Sequence, residues 1–226
     1  MTTVTQISKG LNVPITGQPE QIIADGPRVE HVGLVGDDYH GMKPTMVVAE
    51  GDRVKRGQPL FYDKKTPGVA FTSPASGVVA AINRGEKRKF LSVVVRVEGD
   101  EQVEFAKYPD HNLSQLDRSA VVEQLTNSGL WTALRTRPYS RTPSPDSIPH
   151  SLFVTAIDTH PLAADPAVVI QQRPADFIAG LQTLSTLTDG PLFVCRRAGS
   201  EVPGEGVTPA EFHAFDGPHP AGLPGT

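Results

Sequence analysis

The stretch from Val47 to Ile82 constrains the fold most. It reads Val-Val-Ala-Glu-Gly-Asp-Arg-Val-Lys-Arg-Gly-Gln-Pro-Leu-Phe, turns through Lys-Lys-Thr-Pro-Gly, and resumes as Val-Ala-Phe-Thr-Ser-Pro-Ala-Ser-Gly-Val-Val-Ala-Ala-Ile. Every apolar run is cut by a Gly-Asp, Arg-Gly or Ser-Gly pair before it reaches helical length, so the segment can only be a compact β-meander or barrel. Gly51-Asp52-Arg53-Val54 and Ser76-Gly77-Val78-Val79 occupy similar places on either side of Thr66-Pro67-Gly68, which predicts a quasi-twofold pair of hairpin layers.

This segment resembles the barrel-sandwich fold of biotinyl and lipoyl carrier domains, where Gly-Asp-x-Val-x-x-Gly-Gln leads into a hairpin and then a Pro-x-x-Gly-x-Val strand. A carrier presents one lysine at the hairpin tip. Lys64 and Lys65 lie near that place, but Thr-Pro-Gly follows them where a carrier has Met-Lys-Met or Asp-Lys-Ala. Covalent modification at Lys64 or Lys65 is the alternative reading; two solvated loop lysines are the expected one.

Val29 to Val35 and the β-branched run Phe90 to Val97 read as further strands. The Val4, Ile7 alternation reads as another, and these three are expected to complete the barrel. After Gly99 the pattern changes. Leu116, Ala120, Val121 and Leu125 recur at helical spacing from Gln115 to Ser128, with Gly129 placed to end the helix. Ser151 to Ile157 reads as a buried strand, Pro174 to Thr188 as a helix and Pro191 to Cys195 as a second strand. That order makes a β-α-β unit with a parallel sheet. The fold class is therefore α/β and β. A barrel-sandwich domain is expected over residues 1–105, and a Rossmann-like α/β domain, incomplete at its C-terminal end, over 106–226. The closing Gly-Pro-His-Pro-Ala-Gly-Leu-Pro-Gly-Thr leads to no further element, which is the expectation for a fragment of a longer protein.

Bulk properties narrow the function. A net charge of -4 offers no basic field for nucleic acid. No run is long and apolar enough for a transmembrane helix, and the start lacks the layout of a signal peptide. One cysteine, Cys195, excludes an internal disulfide, and the scattered histidines predict no metal site. The Gly-x-Ser-x-Gly elbow is absent, as is a Gly-x-Gly-x-x-Gly in the crossover from Asp158 to Arg173, so no catalytic residue is assigned.

Several segments in one order then carry a more specific resemblance: Lys9-Gly10-Leu11-Asn12-Val13-Pro14-Ile15, Gly51 to Gln58, Asp63-Lys64-Lys65, Gly129-Leu130-Trp131-Thr132-Ala133, Asp158 to Pro166, and Gly217-Pro218-His219-Pro220-Ala221-Gly222. Together they resemble the A subunits of the bacterial sodium-translocating NADH:quinone reductases. The resemblance implies an oxidoreductase and translocase of the respiratory chain, with a peripheral subunit on the cytoplasmic side of the inner membrane. It implies five other subunits as partners, ubiquinone as substrate of the complex, and NADH, FMN or FAD and 2Fe-2S centres held by those other subunits. No tightly bound cofactor is expected here. The family is similar in fold to the flavin-binding NADH dehydrogenase subunit of complex I and to the C subunit of the Rnf complex. Where complex I has a glycine-rich flavin loop, this chain has Gly129 to Arg137, with bulky Leu130 and Trp131.

Trp131, Arg135, Arg137 and Tyr139 form the one cluster fitted to a quinone or a partner, because a ring stacks on Trp or Tyr while Arg donates to a carbonyl. The plainer reading packs Trp131 into the core of the second domain and leaves the arginines solvated, because a single aromatic near a helix end usually packs. Asp158 and His160 lie at the mouth of a strand, where α/β proteins bind ligands; a capping Asp and a loop His is the plainer reading. Cys195, beside Phe193 and Val194, is expected in a core.

Overall fold

The computed structural model describes residues 3–226, leaving aside the side chains of residues 110 and 111. The chain forms two compact units, and these exchange segments across the expected boundary near residue 105. One contains residues 26–107 and 118–147, the other residues 3–25, 108–117 and 148–226.

The first unit is built from two antiparallel sheets. β2 (His31–Val35), β8 (Phe90–Val97), β7 (Gly77–Arg84) and β4 (Arg53–Val54) pair in that order, and β3 (Pro44–Met46), β5 (Pro59–Asp63) and β6 (Ala70–Thr72) form the other sheet. The repeated turns noted in the sequence bind one another: Arg53 pairs with Val78, Val54 with Gly77, and the Gly51 N–H donates to the Val79 carbonyl at 2.8 Å. Between the sheets lie Val54, Leu60, Phe61, Val69, Phe71, Val79, Val93 and Val95, each at most 2% exposed. Phe61 stacks on Phe71 with ring centroids 4.6 Å apart, and Phe90 meets Phe61 edge-on at 5.2 Å. Aromatic contacts of this kind add to area burial.

Helix α1 (Arg118–Ser128) belongs to this unit. Gly129, in the left-handed conformation at φ 82°, ends it, and a Cβ there would lie 2.5 Å from Thr72 Oγ1. Only glycine lets the helix end sit so close to β6, where the Thr72 hydroxyl donates to the Ser128 carbonyl at 3.0 Å.

The second unit is a four-stranded parallel sheet in the order β1 (Val4–Gln6), β11 (Glu211–Asp216), β10 (Leu192–Arg197), β9 (Leu152–Ala156). Two helices connect β9 to β10: α2 (Pro166–Ile170), capped by the Asp165 carboxylate accepting from the Ala167 N–H at 2.9 Å, and α3 (Pro174–Ser185). Leu152, Val154, Ala156, Leu192 and Val194 alternate onto the face that packs against Leu181, Phe177 and Leu184 of α3. The opposite face carries Phe153 and Phe193 with ring centroids 5.0 Å apart, and Phe153 is 64% exposed.

One expectation is corrected here, and two elements were not foreseen. Val4–Gln6 does not complete the barrel but forms an edge strand beside β11, with Val4 opposite Ala214. The crossover from Asp158 to Arg173 contains α2, and the strand Glu211–Asp216 has no counterpart among the expected elements. Parallel partners some two hundred residues apart leave no local turn signal.

Candidate functional site

Within the first unit, the segment expected to meet a quinone separates into a buried and an exposed part. Trp131 lies in a 3-10 turn spanning Leu130–Ala133, is 3% exposed, and donates its indole N–H to the Pro143 carbonyl at 2.9 Å. Its ring faces are covered by protein. Arg135 is exposed, and its guanidinium caps the turn by donating to the carbonyls of Thr132 and Leu134 and, at 3.3 Å, to that of Asp38. It also lies over the ring of Tyr39, 5.5 Å from the centroid. Burial pushes the Tyr39 phenol up, against the lowering effect of the Arg135 charge. Arg137 and Tyr139 are both exposed, and the Arg141 guanidinium lies 6.0 Å from the Tyr139 ring centroid. The segment thus carries two guanidinium–phenol pairs, exposed Arg135 over half-buried Tyr39 and exposed Arg141 beside exposed Tyr139; Tyr39 and Arg141 have no distinguishing pattern in the sequence.

At the barrel hairpin, Asp63 is 7% exposed and its carboxylate organises the turn, accepting from the N–H groups of Lys43 and Lys65 at 2.8 and 3.0 Å and from the Thr66 hydroxyl at 3.1 Å. The Lys65 ammonium donates to the Gly41 carbonyl at 2.7 Å, while Lys64 is exposed. A carrier lysine must swing freely, and Lys65 is tied back.

The second unit holds a groove at the carboxyl ends of its parallel strands, where helices and loops leave room for ligands in α/β proteins. A polar lobe of about 380 Å³ is lined by Asn12, Gln21, Asp158, His160 and Arg197 among others. An apolar lobe of about 270 Å³, lined by Val13, Ile15, Pro161 and Leu162, shares Asn12, Gln18, Pro19, Thr159 and Leu162 with it. The wall from residue 9 onward is positioned by backbone contact: the Leu11 N–H donates to the His219 carbonyl at 2.9 Å, and the His219 N–H donates to Asn12 Oδ1 at 2.9 Å. A Cβ on Gly10 would lie 2.1 Å from the His219 oxygen, so the approach requires glycine.

Asp158 binds His160 at the strand mouth and does not cap the following helix, whose cap is Asp165. The Asp158 Oδ1 accepts from the His160 N–H at 2.8 Å and from its ring Nδ1 at 2.7 Å. Burial pushes this carboxyl up, but the two hydrogen bonds and the charges of His160 and His219 outweigh it and hold it below the ordinary value. His219 stands beside them, ring centroid 4.8 Å from that of His160, its Nδ1 3.1 Å from the Thr159 hydroxyl. Among the described residues no group of three or more His, Cys, Asp or Glu is arranged for a metal ion. Cys195 is buried on β10, and burial pushes its thiol up, away from the reactive thiolate. No described helix is long and apolar enough to cross a membrane.

Comparison with known proteins decides the family. Residues 5–98 match the model of the NqrA N-terminal barrel-sandwich hybrid domain, and residues 116–226 match that of the NqrA second alpha/beta domain. The chain belongs to the NqrA family. Among relatives, the A subunit of the Na(+)-translocating NADH-quinone reductase of Hahella chejuensis is 58% identical over 98% of this chain and 49% of its own length. The proteins of the same name from Serratia proteamaculans and Neisseria meningitidis serogroup C are 56% and 55% identical, again over 98% of this chain and 50% and 49% of their own lengths. The chain thus spans about half the length of the curated relatives it matches. Both NqrA domain types agree with the two architectures described above. In this setting Gly129 is a helix terminator packed on Thr72, whereas a flavin loop needs its glycine open to a phosphate.

Proposed function

We propose that this chain is part of the NqrA subunit of a Na(+)-translocating NADH:ubiquinone oxidoreductase, peripheral on the cytoplasmic side of the bacterial inner membrane. It works by docking to the other subunits of the complex and contributing to quinone binding, without a tightly bound redox centre of its own. NADH, the flavins and the 2Fe-2S centre belong in this reading to the partner subunits, and the chain alone is inactive. The observation that carries the reading is the match to both NqrA domain models in sequence order, with relatives above 50% identity that bear this subunit's name.

The geometry that supports a quinone or partner contact is the exposed part of the 131–141 segment. A quinone head group is flat and apolar on its faces, with two carbonyl acceptors at its edge. Tyr139, at 71% exposure, offers a ring face, and Arg135 and Arg137 offer N–H donors. Trp131, buried in the 3-10 turn at the start of the same segment, is packed away from solvent.

The test is made in the assembled complex, with Arg135→Ala, Arg137→Ala and Tyr139→Ala introduced at the matching positions of the full-length protein. The expected result is a several-fold rise in KM for a short-chain ubiquinone, with NADH oxidation by an artificial acceptor unchanged. Loss of the NqrA subunit from the purified complex would instead assign these residues to docking. An intact complex with unchanged KM overturns both roles.

A further inference from the structure

The groove in the second unit is independent of the quinone reading and carries a separate assignment, built from what its polar side chains have left to offer. Each of the two carboxylates that line the polar lobe has its Oδ1 engaged within the fold. The Asp158 Oδ1 holds the His160 N–H and ring, and the Asp165 Oδ1 caps α2 at the Ala167 N–H. The Gln21 carbonyl oxygen is likewise spent on the Asp165 N–H at 2.7 Å.

The donors are not spent. Asn12 uses its oxygen on the His219 N–H, which leaves its amide N–H₂ available. Arg197, at the carboxyl end of β10, is exposed, and its contact is a 3.3 Å hydrogen bond from Nη2 to the Asp158 carbonyl. It has no ion pair with a carboxylate among the described residues, whereas Arg196 beside it pairs with Glu205 at 2.7 Å. The polar lobe therefore presents a guanidinium fork and an amide donor, beside two carboxylates whose Oδ1 atoms already hold hydrogen bonds within the fold. A fork of this kind matches a carboxylate or phosphate bidentately. The adjoining lobe lined by Val13, Ile15, Pro161 and Leu162 takes an apolar body.

We propose that this groove binds a small amphipathic anion, its oxyanion head on Arg197 and Asn12 and its apolar body along Val13, Ile15 and Leu162. A carboxylate and a phosphate ester share the head chemistry, and the test separates them.

The experiment titrates this chain with acetate, hexanoate and hexyl phosphate at fixed ionic strength, by calorimetry and by chemical-shift changes at the residues of the groove. Saturable binding of hexanoate or hexyl phosphate at least tenfold tighter than acetate is expected, and the tighter of the two identifies the head group. Arg197→Gln should weaken it at least tenfold with far-UV circular dichroism unchanged, because the side chain is exposed; Arg197→Lys should recover part of the loss. Leu162→Ser, also at an exposed position, should bring hexanoate down towards acetate while sparing acetate itself. Absence of saturable binding, equal affinity for acetate and hexanoate, or equal affinity in Arg197→Gln overturns the assignment.

Discussion

Removing the Trp131 side chain distinguishes a core residue from a ligand platform. The indole is 3% exposed and its N–H is bonded to the Pro143 carbonyl. Trp131→Ala forfeits the transfer free energy of a large ring and leaves a cavity, together about 3–5 kcal/mol in well-packed cores. Trp131→Phe keeps most of the ring and gives up the hydrogen bond. Pro143 is only half-buried, so water can replace the donor, and the cost is about 1–2 kcal/mol including the lost area. The assay is urea unfolding followed by far-UV circular dichroism, since the substitution removes the sole tryptophan. In the parent chain the same residue should emit at short wavelength and resist quenching by iodide until the unit unfolds. If Trp131→Ala shifts stability by less than about 0.5 kcal/mol, the level of an ordinary surface substitution, or if iodide quenches the native protein freely, the packing argument is refuted and the ring is open to ligands.

Gly129→Ala should cost about 1–2 kcal/mol for the left-handed backbone and about 1 kcal/mol more for displacing the Thr72 hydroxyl from the Ser128 carbonyl; in a Thr72→Ala background, where the clashing Oγ1 is gone, denaturant midpoints should show only the backbone part. The Asp158 carboxyl is held below its ordinary value, so its contribution is present above the unfolded-state value, from about pH 5 upward, and disappears as pH falls through the lower folded-state value. Because the side chain is 37% exposed, screening keeps that contribution under about 1 kcal/mol. Asp158→Asn should therefore lower the midpoint near neutral pH, and the difference from the parent chain should close below about pH 4; a gap that persists down to about pH 2 would refute the assignment.

Much of the barrel was legible because its turn residues and strand-forming runs are contiguous in sequence. Gly51-Asp52 and Ser76-Gly77 stand close in sequence, interrupt strand-forming runs, and meet as the β4–β7 ladder. α3 announced itself through Phe177, Leu181 and Leu184 on one stripe, now packed on the parallel sheet. Asp158 and His160 could be placed at a strand mouth because the strand itself was readable, and their mutual hydrogen bonds need only a separation of two residues.

By itself, then, the sequence determined the two kinds of architecture and the family, since turn residues, hydrophobic period and ordered motifs are properties of contiguous residues. Tertiary structure alone decided that Val4–Gln6 joins Glu211–Asp216 instead of the barrel, that the buried Trp131 belongs to the first unit and not the second, and that Asn12, Asp158, Arg197 and His219 share a groove. The physical reason is the same in each case. A parallel strand pairing, the covering of one ring, and the approach of Gly10 to the His219 carbonyl depend on partners far along the chain, and no local propensity encodes which partner will arrive.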